Sequence, residues 1–128
     1  MPSGLILFVE DDPTLQMVGK LSIKHLGYDC EVLNTGEKVV EHPTENVILI
    51  FMDIGLPGID GREATKLIRA AELRENRKPV PIIALTGHAI RAQCLEVGMD
   101  DFLQKPALIE DLDLMIKKWV LPAEETAE

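Results

Sequence analysis

The stretch of sequence that decides the fold is VILIFMDIGLPGIDG, from Val47 to Gly61. Its first six residues, Val47–Met52, are all apolar. An unbroken apolar run of this length is typical of a strand that is covered on both faces, as in a parallel sheet. A single carboxylate, Asp53, follows directly, and the chain then passes through three glycines and a proline, which indicate a loop. The stretch therefore predicts a buried strand that ends at an acid.

Similar runs recur along the chain and alternate with helical patterns. The other predicted strands are Leu5–Val9, Pro81–Leu85, the weaker Phe102–Leu103, and the alternating Tyr28–Leu33, which is expected nearer an edge. The predicted helices run from Asp12 and Pro13 to Gly27, over Gly36–His42, after Asp60 and Gly61, over Ile90–Val97, and from Leu108 to Trp119. Strand and helix alternate five times, which predicts one doubly wound α/β domain with helices on both faces of the sheet.

Apolar residues at helical spacing mark one face of several of these helices. In the first helix, Leu15, Val18, Leu21 and Leu26 fall roughly on one face. Apolar stripes also mark the third helix, at Ala64, Leu67, Ile68 and Ala71, and the last, at Leu108, Leu112, Met115, Ile116 and Trp119. Asp12 and Asp60 precede their helices, where a carboxylate is a good N-cap.

Length and composition indicate one ordinary soluble domain. The chain has 128 residues, of which 46% are apolar and 27% charged, and we expect a domain over residues 1–121 with an acidic tail over 122–128. No apolar stretch approaches the roughly 20 residues that cross a bilayer, and no signal-peptide pattern is present, so we expect a cytoplasmic domain that does not bind membranes. The net charge of −9 argues against a nucleic-acid surface. Cys30 and Cys94 lack metal-site spacing and are expected to be reduced, partly buried thiols.

Polar residues stand at the carboxyl ends of the predicted strands. They are Glu10, Asp11 and Asp12 after the first strand, Asp53 after the third, Thr86 after the fourth, and Lys105 with Pro106 after the fifth. In an open parallel sheet these ends meet at one edge, where ligands bind. Carboxylates about 4 Å apart repel by about 4 kcal/mol at an effective dielectric of about 20. A divalent cation would relieve this repulsion, and Mg²⁺ suits carboxylate oxygens.

The same grouping suits phosphoryl chemistry at Asp53. A carboxylate beside Mg²⁺ and a lysine can attack phosphorus and form an acyl phosphate. Phosphoryl transfer mainly needs positioning and neutralisation of charge on the equatorial oxygens. Lys105, the Thr86 hydroxyl and loop N–H groups are suitable donors, and the backbone carbonyl of Gly55 is a further candidate metal ligand.

Four motifs in this order resemble the receiver domain of two-component response regulators. They are VEDD, MDIGLPGIDG, PIIALTG and DDFLQKP, and the resemblance extends from about Leu5 to Trp119. It implies a flavodoxin-like (βα)5 domain whose parallel five-stranded sheet has the order 2-1-3-4-5. It further implies that Asp53 accepts a phosphoryl group from a phosphohistidine, on a histidine kinase or a histidine phosphotransfer protein. Within the family, the chain most resembles receivers attached to hybrid histidine kinases.

The resemblance also assigns roles to individual residues. Asp11, Asp53 and the Gly55 carbonyl would bind Mg²⁺, or Mn²⁺, with Glu10 acting through water. Thr86 matches the switch hydroxyl, Lys105 the lysine that pairs with the phosphoryl group, and Phe102 the switch aromatic. The Lys105–Pro106 peptide bond is cis in relatives. The implied protein is a signalling domain that phosphorylates itself and loses the group by autodephosphorylation, and is not a turnover enzyme.

The sequence departs from the family pattern at two places. Thr86 and Lys105 are about three residues closer than usual, which predicts a shortened or partly unwound fourth helix. Gly87 stands where many relatives have alanine, which predicts wider access to the phosphoryl group.

Three other functions are compatible with this fold class. A flavodoxin-like module for a flavin or nucleotide would need a glycine- or hydroxyl-rich loop after the first strand, where this chain has EDDP. A phosphatase of the haloacid-dehalogenase type would need a second acid two residues after Asp53, where this chain has Gly55. A scaffold receiver that is never phosphorylated would not need the intact set of acids, Thr86 and Lys105.

Overall fold

Five strands and five helices alternate along the chain, as the apolar runs predict. The computed structural model describes residues 4–87 and 91–120, so the expected tail over 122–128 lies outside the described residues. The elements are β1 Leu5–Val9, α1 Pro13–His25, β2 Asp29–Leu33, α2 Gly36–Glu41, β3 Val47–Asp53, α3 Gly61–Arg74, β4 Ile82–Thr86, α4 Arg91–Glu96, β5 Asp101–Gln104 and α5 Ile109–Trp119. Within the described ranges, none of the helices has both the length and the apolar character of a membrane-spanning segment.

The sheet is parallel throughout and has the order β2-β1-β3-β4-β5, which confirms the predicted fold class. Its register brings the carboxyl ends of the central strands together. Val9 pairs with Met52, and Asp53 pairs with Leu85. At the far side, Thr86 pairs with Gln104. The residues that follow β1, β3, β4 and β5 therefore meet at one edge of the sheet.

Each face of the sheet carries its own apolar core, which explains why the central strands are apolar without alternation. On one face, strand residues such as Leu7, Ile50 and Met52 pack with residues from α2, α3 and α4. On the other face, Phe8 and Phe51 pack with residues from α1 and α5. Burying such a side chain contributes about 1.5–3 kcal/mol, so both layers of helices are needed to cover the strands.

The apolar face of α1 is only partly buried. Val18 is 45% exposed and Leu21 61% exposed, whereas Gly19 and Ile23 are buried. The reason is a close approach to Phe8, because a Cβ placed on Gly19 would lie 2.4 Å from the Phe8 ring. The helix therefore rests on its glycine and turns part of its apolar surface to solvent.

A buried carboxylate at the start of β5 ties this strand to α5. Asp101 is 4% exposed, and its Oδ2 accepts hydrogen bonds from Lys118 Nζ at 2.7 Å and Trp119 Nε1 at 3.2 Å. Burial tends to raise the pKa of Asp101, but the bonds from Lys118, the Phe102 N–H and Trp119 outweigh it, and its pKa is lowered. This anchor fixes the strand that leads directly to Lys105.

Candidate functional site

The edge of the sheet holds a cavity of about 560 Å³ above the ends of β3 and β4. Asp53 is the last residue of β3 and Thr86 the last of β4, while Glu10 and Lys105 directly follow β1 and β5. The residues that line the cavity are Asp11, Asp53, Ile54, Gly55, Arg62, Thr86, Gly87, Gln93, Cys94 and Lys105. The strand-end residues predicted from the sequence thus converge on one site.

Three carboxylates form a cluster that fits a divalent metal ion. One oxygen from each of Glu10, Asp11 and Asp53 lies within 4.8 Å of the others. Glu10 and Asp53 are buried, at 1% and 3% exposure, and Asp11 is exposed. An all-oxygen donor set that is open to solvent on one side suits Mg²⁺, which keeps several waters. Within the described part of the chain these three acids have one ammonium beside them, so a divalent cation would also balance the charge.

That ammonium belongs to Lys105, which bridges two of the acids. Its Nζ lies 3.0 Å from Glu10 Oε1 and 3.2 Å from Asp53 Oδ2. Burial tends to lower the pKa of Lys105, but the hydrogen bond to Glu10 and the charge of Asp53 outweigh it and raise the pKa. Lys105 is therefore a fixed cation at the sheet edge.

Backbone contacts hold Asp53 in a defined orientation. Its Oδ1 accepts a hydrogen bond from the Gly55 N–H at 3.0 Å, while its Oδ2 faces Lys105. Gly61 lets α3 begin against this strand end, because a Cβ there would lie 2.3 Å from the Asp53 carbonyl oxygen. Asp60 caps the helix by accepting from the N–H groups of Arg62 and Glu63, both at 2.9 Å, as predicted. The loop therefore presents the Asp53 carboxylate in one direction.

Glu10 is buried whereas Asp11 is exposed, and burial changes the acidity of Glu10. Its Oε2 accepts from the Asp12 N–H at 3.1 Å, and its carbonyl oxygen accepts from Gln16 Nε2 at 2.6 Å. Burial raises the pKa of Glu10 from 4.5 to about 7. The hydrogen bonds from Lys105 and Asp12 oppose this rise, and the charge of Asp53 adds to it. Asp12 caps α1 through bonds from the Thr14 and Leu15 N–H groups, at 2.8 and 3.1 Å.

We expect the metal-free protein to lose stability as the pH rises from about 5 to 8, because of Glu10. The folded state keeps the Glu10 proton up to a pKa of about 7, and the unfolded state only up to 4.5. Between these values the folded state binds more protons, so a rise in pH favours unfolding. The difference between the two pKa values corresponds to a loss of roughly 3 kcal/mol in the free energy of unfolding. Urea unfolding in EDTA at several pH values measures it.

Glu10→Gln serves as the matched variant for this measurement, since it cannot ionise. The unfolding free energy of Glu10→Gln minus that of the native chain should increase across the same pH window. Saturating Mg²⁺ should flatten the decline in the native chain, because a metal ion favours ionised carboxylates. A difference between the two chains that stays constant from pH 5 to 8 would show that Glu10 titrates normally.

Thr86 and Gly87 are among the residues that line the cavity, whereas Phe102 and Pro106 are not. Thr86 is buried and lines the cavity, and its carbonyl oxygen accepts from the Lys105 N–H at 2.8 Å. A Cβ on Gly87 would meet no atom of the described residues within 4 Å. Phe102 pairs with Ala84 and is half-buried against the core on the α2–α4 side, and its role as a switch stays a prediction. The Lys105–Pro106 bond is cis, as expected.

One wall of the cavity was missed by the sequence reasoning. Arg62 from α3 and Gln93 from α4 line it, with Arg62 Nη1 3.3 Å from Gln93 Oε1. Cys94, expected to be an ordinary thiol, is a free cysteine on the same wall, and burial raises its pKa against the opposing charge of Arg62. Nothing in the spacing of the sequence signals this wall, because it forms only where Arg62 of α3 meets Gln93 of α4 in the folded chain.

Comparison with known proteins gives one consistent result. The family described as "Response regulator receiver domain" matches residues 6–117. Hybrid signal transduction histidine kinase F of Dictyostelium discoideum is 38% identical over 120 residues, which are 90% of this chain and 11% of that protein. The chain spans 11% to 13% of the length of the first curated relatives that it matches.

Two solved structures show the same architecture. The receiver domain of sensor histidine kinase PA1611 from Pseudomonas aeruginosa PAO1, with a magnesium ion in its active-site cleft, is 36% identical, with a TM-score of 0.79 over 92% of this chain and 98% of that chain. The second is a co-crystal structure of the Saccharomyces cerevisiae histidine phosphotransfer protein Ypd1 and the receiver domain of the response regulator Ssk1. That match is 29% identical, with a TM-score of 0.86 over 92% of this chain and 89% of that chain.

Proposed function

The chain belongs to the response regulator receiver domain family, and from this premise we propose that it accepts a phosphoryl group from a phosphohistidine onto Asp53. The observation that carries the proposal is the position of this one carboxylate. Asp53 ends a central strand, faces the Lys105 ammonium at 3.2 Å and lies beside Glu10 and Asp11. It also lines a cavity that is large enough to admit the reacting group.

The proposed step is a displacement at phosphorus. An oxygen of the Asp53 carboxylate attacks, the phosphorus–nitrogen bond breaks, and its electron pair remains on the donor imidazole, which takes up a proton. Lys105 is placed to neutralise charge on the phosphoryl oxygens, and the Thr86 hydroxyl on the cavity wall is a candidate donor to one of them. Glu10, Asp11, Asp53 and the Gly55 carbonyl would hold Mg²⁺, or Mn²⁺, which supplies further charge neutralisation when bound.

The product stays covalently on the chain, so the domain acts as a switch and not as a turnover enzyme. The charge of the phosphoryl group would shift an equilibrium between two conformations of the domain, with Thr86 and Phe102 as the switch residues. Autodephosphorylation completes the cycle when water attacks the phosphorus and phosphate leaves, which restores the Asp53 carboxylate. The exposure of Asp11 to solvent supports access of water to this position.

The proposed donor is a histidine kinase or a histidine phosphotransfer protein. Apolar side chains on α1 support a docking surface close to the site, because Met17, Val18 and Leu21 are 64%, 45% and 61% exposed. Large apolar side chains grouped on one exposed surface are typical of protein interfaces. We place the domain in residues 1–121, followed by a tail over 122–128, and in the cytoplasm, where ATP is available to the kinase.

The other candidate functions lack a supporting observation. A phosphatase of the haloacid-dehalogenase type needs an acid two residues after Asp53, and that position is Gly55. A module that binds a flavin phosphate or nucleotide through the loop after β1 would place it against Glu10 and Asp11. Two carboxylates there would repel a phosphate in the absence of a metal ion.

Labelling of the native chain with acetyl phosphate tests the proposal. With Mg²⁺ present, intact-mass measurement should show one phosphoryl group per chain, and EDTA should abolish the labelling. Hydroxylamine should remove the group, because it cleaves acyl phosphates. A chain that takes up no phosphoryl group with Mg²⁺, or a label that resists hydroxylamine, would contradict the proposal.

A further inference from the structure

We propose that Arg62 is a second cation that binds the phosphoryl group on Asp53, and that it leaves Gln93 of α4 to do so. This inference rests on the proposed function and adds to it a residue, a contact and a route toward α4. Among the described residues that line the cavity, the cations are Lys105 and Arg62, and they belong to different walls. Lys105 follows β5, whereas Arg62 lies in the first turn of α3.

The two cations differ in how firmly they are held. Lys105 already contacts Glu10 at 3.0 Å and Asp53 at 3.2 Å, and 24% of its side chain is exposed. Arg62 makes an ion pair with Asp60 of 3.7 Å and a hydrogen bond to Gln93 of 3.3 Å, and 43% of its side chain is exposed. Long, exposed contacts of this kind contribute little free energy. The Arg62 guanidinium can therefore change partners at small cost.

Phosphorylation supplies a better partner for that guanidinium. It replaces the single negative charge of the Asp53 carboxylate by a phosphoryl group with about 1.5 to 2 negative charges near neutral pH. The planar fork of a guanidinium matches phosphoryl oxygens and can donate two hydrogen bonds to them. Asp60 competes weakly, because its Oδ2 pairs with the Arg62 guanidinium only at 3.7 Å and both side chains are largely exposed.

The exchange would also alter the contact between two helices. The bond from Arg62 Nη1 to Gln93 Oε1 joins the start of α3 to α4 across 31 residues of sequence. When Arg62 turns toward the phosphoryl group, this bond between α3 and α4 is lost, while Cys94 of α4 stays in the apolar core that it shares with α3. Phosphorylation of Asp53 is thereby coupled to the position of α4 through one side chain.

Beryllofluoride with Mg²⁺ is the probe for this role, because it imitates a phosphoryl group on a carboxylate. We expect Arg62→Gln to raise the dissociation constant for beryllofluoride about fivefold to tenfold, measured by fluorine NMR titration. Its dissociation constant for Mg²⁺, measured by calorimetry, should stay unchanged or fall, because a positive charge near the metal has been removed. Arg62→Lys should show an intermediate loss for beryllofluoride.

The matched control is Lys66→Gln, which removes the same charge one turn later on α3. Lys66 is exposed and lines a neighbouring groove and not the phosphoryl cavity, so beryllofluoride binding should be unchanged. Gln93→Ala removes the resting partner of Arg62 and should tighten beryllofluoride binding about twofold. The opposite signs of the Arg62 and Gln93 variants distinguish phosphoryl binding from a merely structural contact.

The outcomes distinguish failure of the Arg62 role from failure of the proposed phosphoacceptor function. If the native chain fails to bind beryllofluoride with Mg²⁺, the proposed function fails, and this inference fails with it. If the native chain binds and Arg62→Gln binds equally well, only the role of Arg62 is overturned. Equal weakening of beryllofluoride and Mg²⁺ by Arg62→Gln would likewise overturn it, because it would indicate a distorted site.

Discussion

Replacing Asp53 by asparagine is expected to abolish phosphoryl labelling completely. The amide has nearly the same shape as the carboxylate but carries no negative charge, so it cannot attack phosphorus at a useful rate. The substitution also removes one of three acids whose oxygens lie within 4.8 Å of one another, which relieves repulsion. The variant should therefore fold at least as stably as the native chain in EDTA, and lost labelling could not be attributed to unfolding. Intact-mass measurement after incubation with acetyl phosphate and Mg²⁺ gives the result.

Asp60→Asn provides the control for this experiment. It makes the same chemical change seven residues later, at a carboxylate that caps α3 and does not line the cavity. Asparagine is a good N-cap, so the helix should keep its start and labelling should match that of the native chain. Residual labelling of Asp53→Asn on another side chain would show that the phosphoacceptor has been misassigned.

Much of the site could be predicted because its residues end or directly follow the strands. Asp53 directly follows a continuous apolar run, and such a run fixes both the end of the strand and the burial of the sheet. In a parallel sheet, the residues after each strand must reach the same edge, so Glu10, Thr86 and Lys105 follow without knowledge of side-chain contacts. β1 has its predicted bounds, each of the other four strands differs by one residue at one or both ends, and Asp53 itself belongs to β3.

The packing of α1 and the cavity wall formed by α3 and α4 could not be predicted, because they depend on distances between elements that the apolar pattern does not contain. Gly19 carries no apolar side chain, and a count of apolar residues therefore misses that α1 rests there, against the Phe8 ring. Similarly, Arg62 and Gln93 are separated by 31 residues and meet only because α3 and α4 lie next to each other. Glycine contacts and pairs between helices follow from the assembled structure and not from local sequence.

A second arginine of α3 holds together the end of the sheet opposite the cavity. Arg69 donates to the carbonyl oxygens of Gly98 and Val80, at 2.9 and 2.8 Å. It also forms ion pairs with Glu72 and Asp100, both at 2.9 Å. The two carboxylates in turn accept from the backbone, Glu72 from the Val80 N–H at 2.9 Å and Asp100 from the Ile82 N–H at 2.8 Å. One guanidinium thus joins α3, the start of β4 and the segment that precedes β5.

Arg69→Ala is expected to lower the free energy of unfolding by about 3–4 kcal/mol. The Glu72 side chain is 3% exposed and would be left as a buried charge without its cation, a change that typically costs about 3–5 kcal/mol. The remaining bond from the Val80 N–H offsets a small part of this cost. Such a loss is a large share of the 5–15 kcal/mol by which domains are typically stable. Urea unfolding followed by circular dichroism measures it directly.

The control for Arg69→Ala is Arg74→Ala, five residues later on the same helix. The Arg74 side chain is 70% exposed, and its ion pair with Glu75 is 3.9 Å long, so we expect a change within about 0.5 kcal/mol. Arg69→Lys should recover only part of the loss, because a single ammonium cannot span four acceptors as the guanidinium does. A loss below about 1 kcal/mol for Arg69→Ala would mean that Glu72 takes up a proton or reaches water once its partner is gone. In that case the cluster would be a by-product of the packing of α3 on the sheet and not a cause of it.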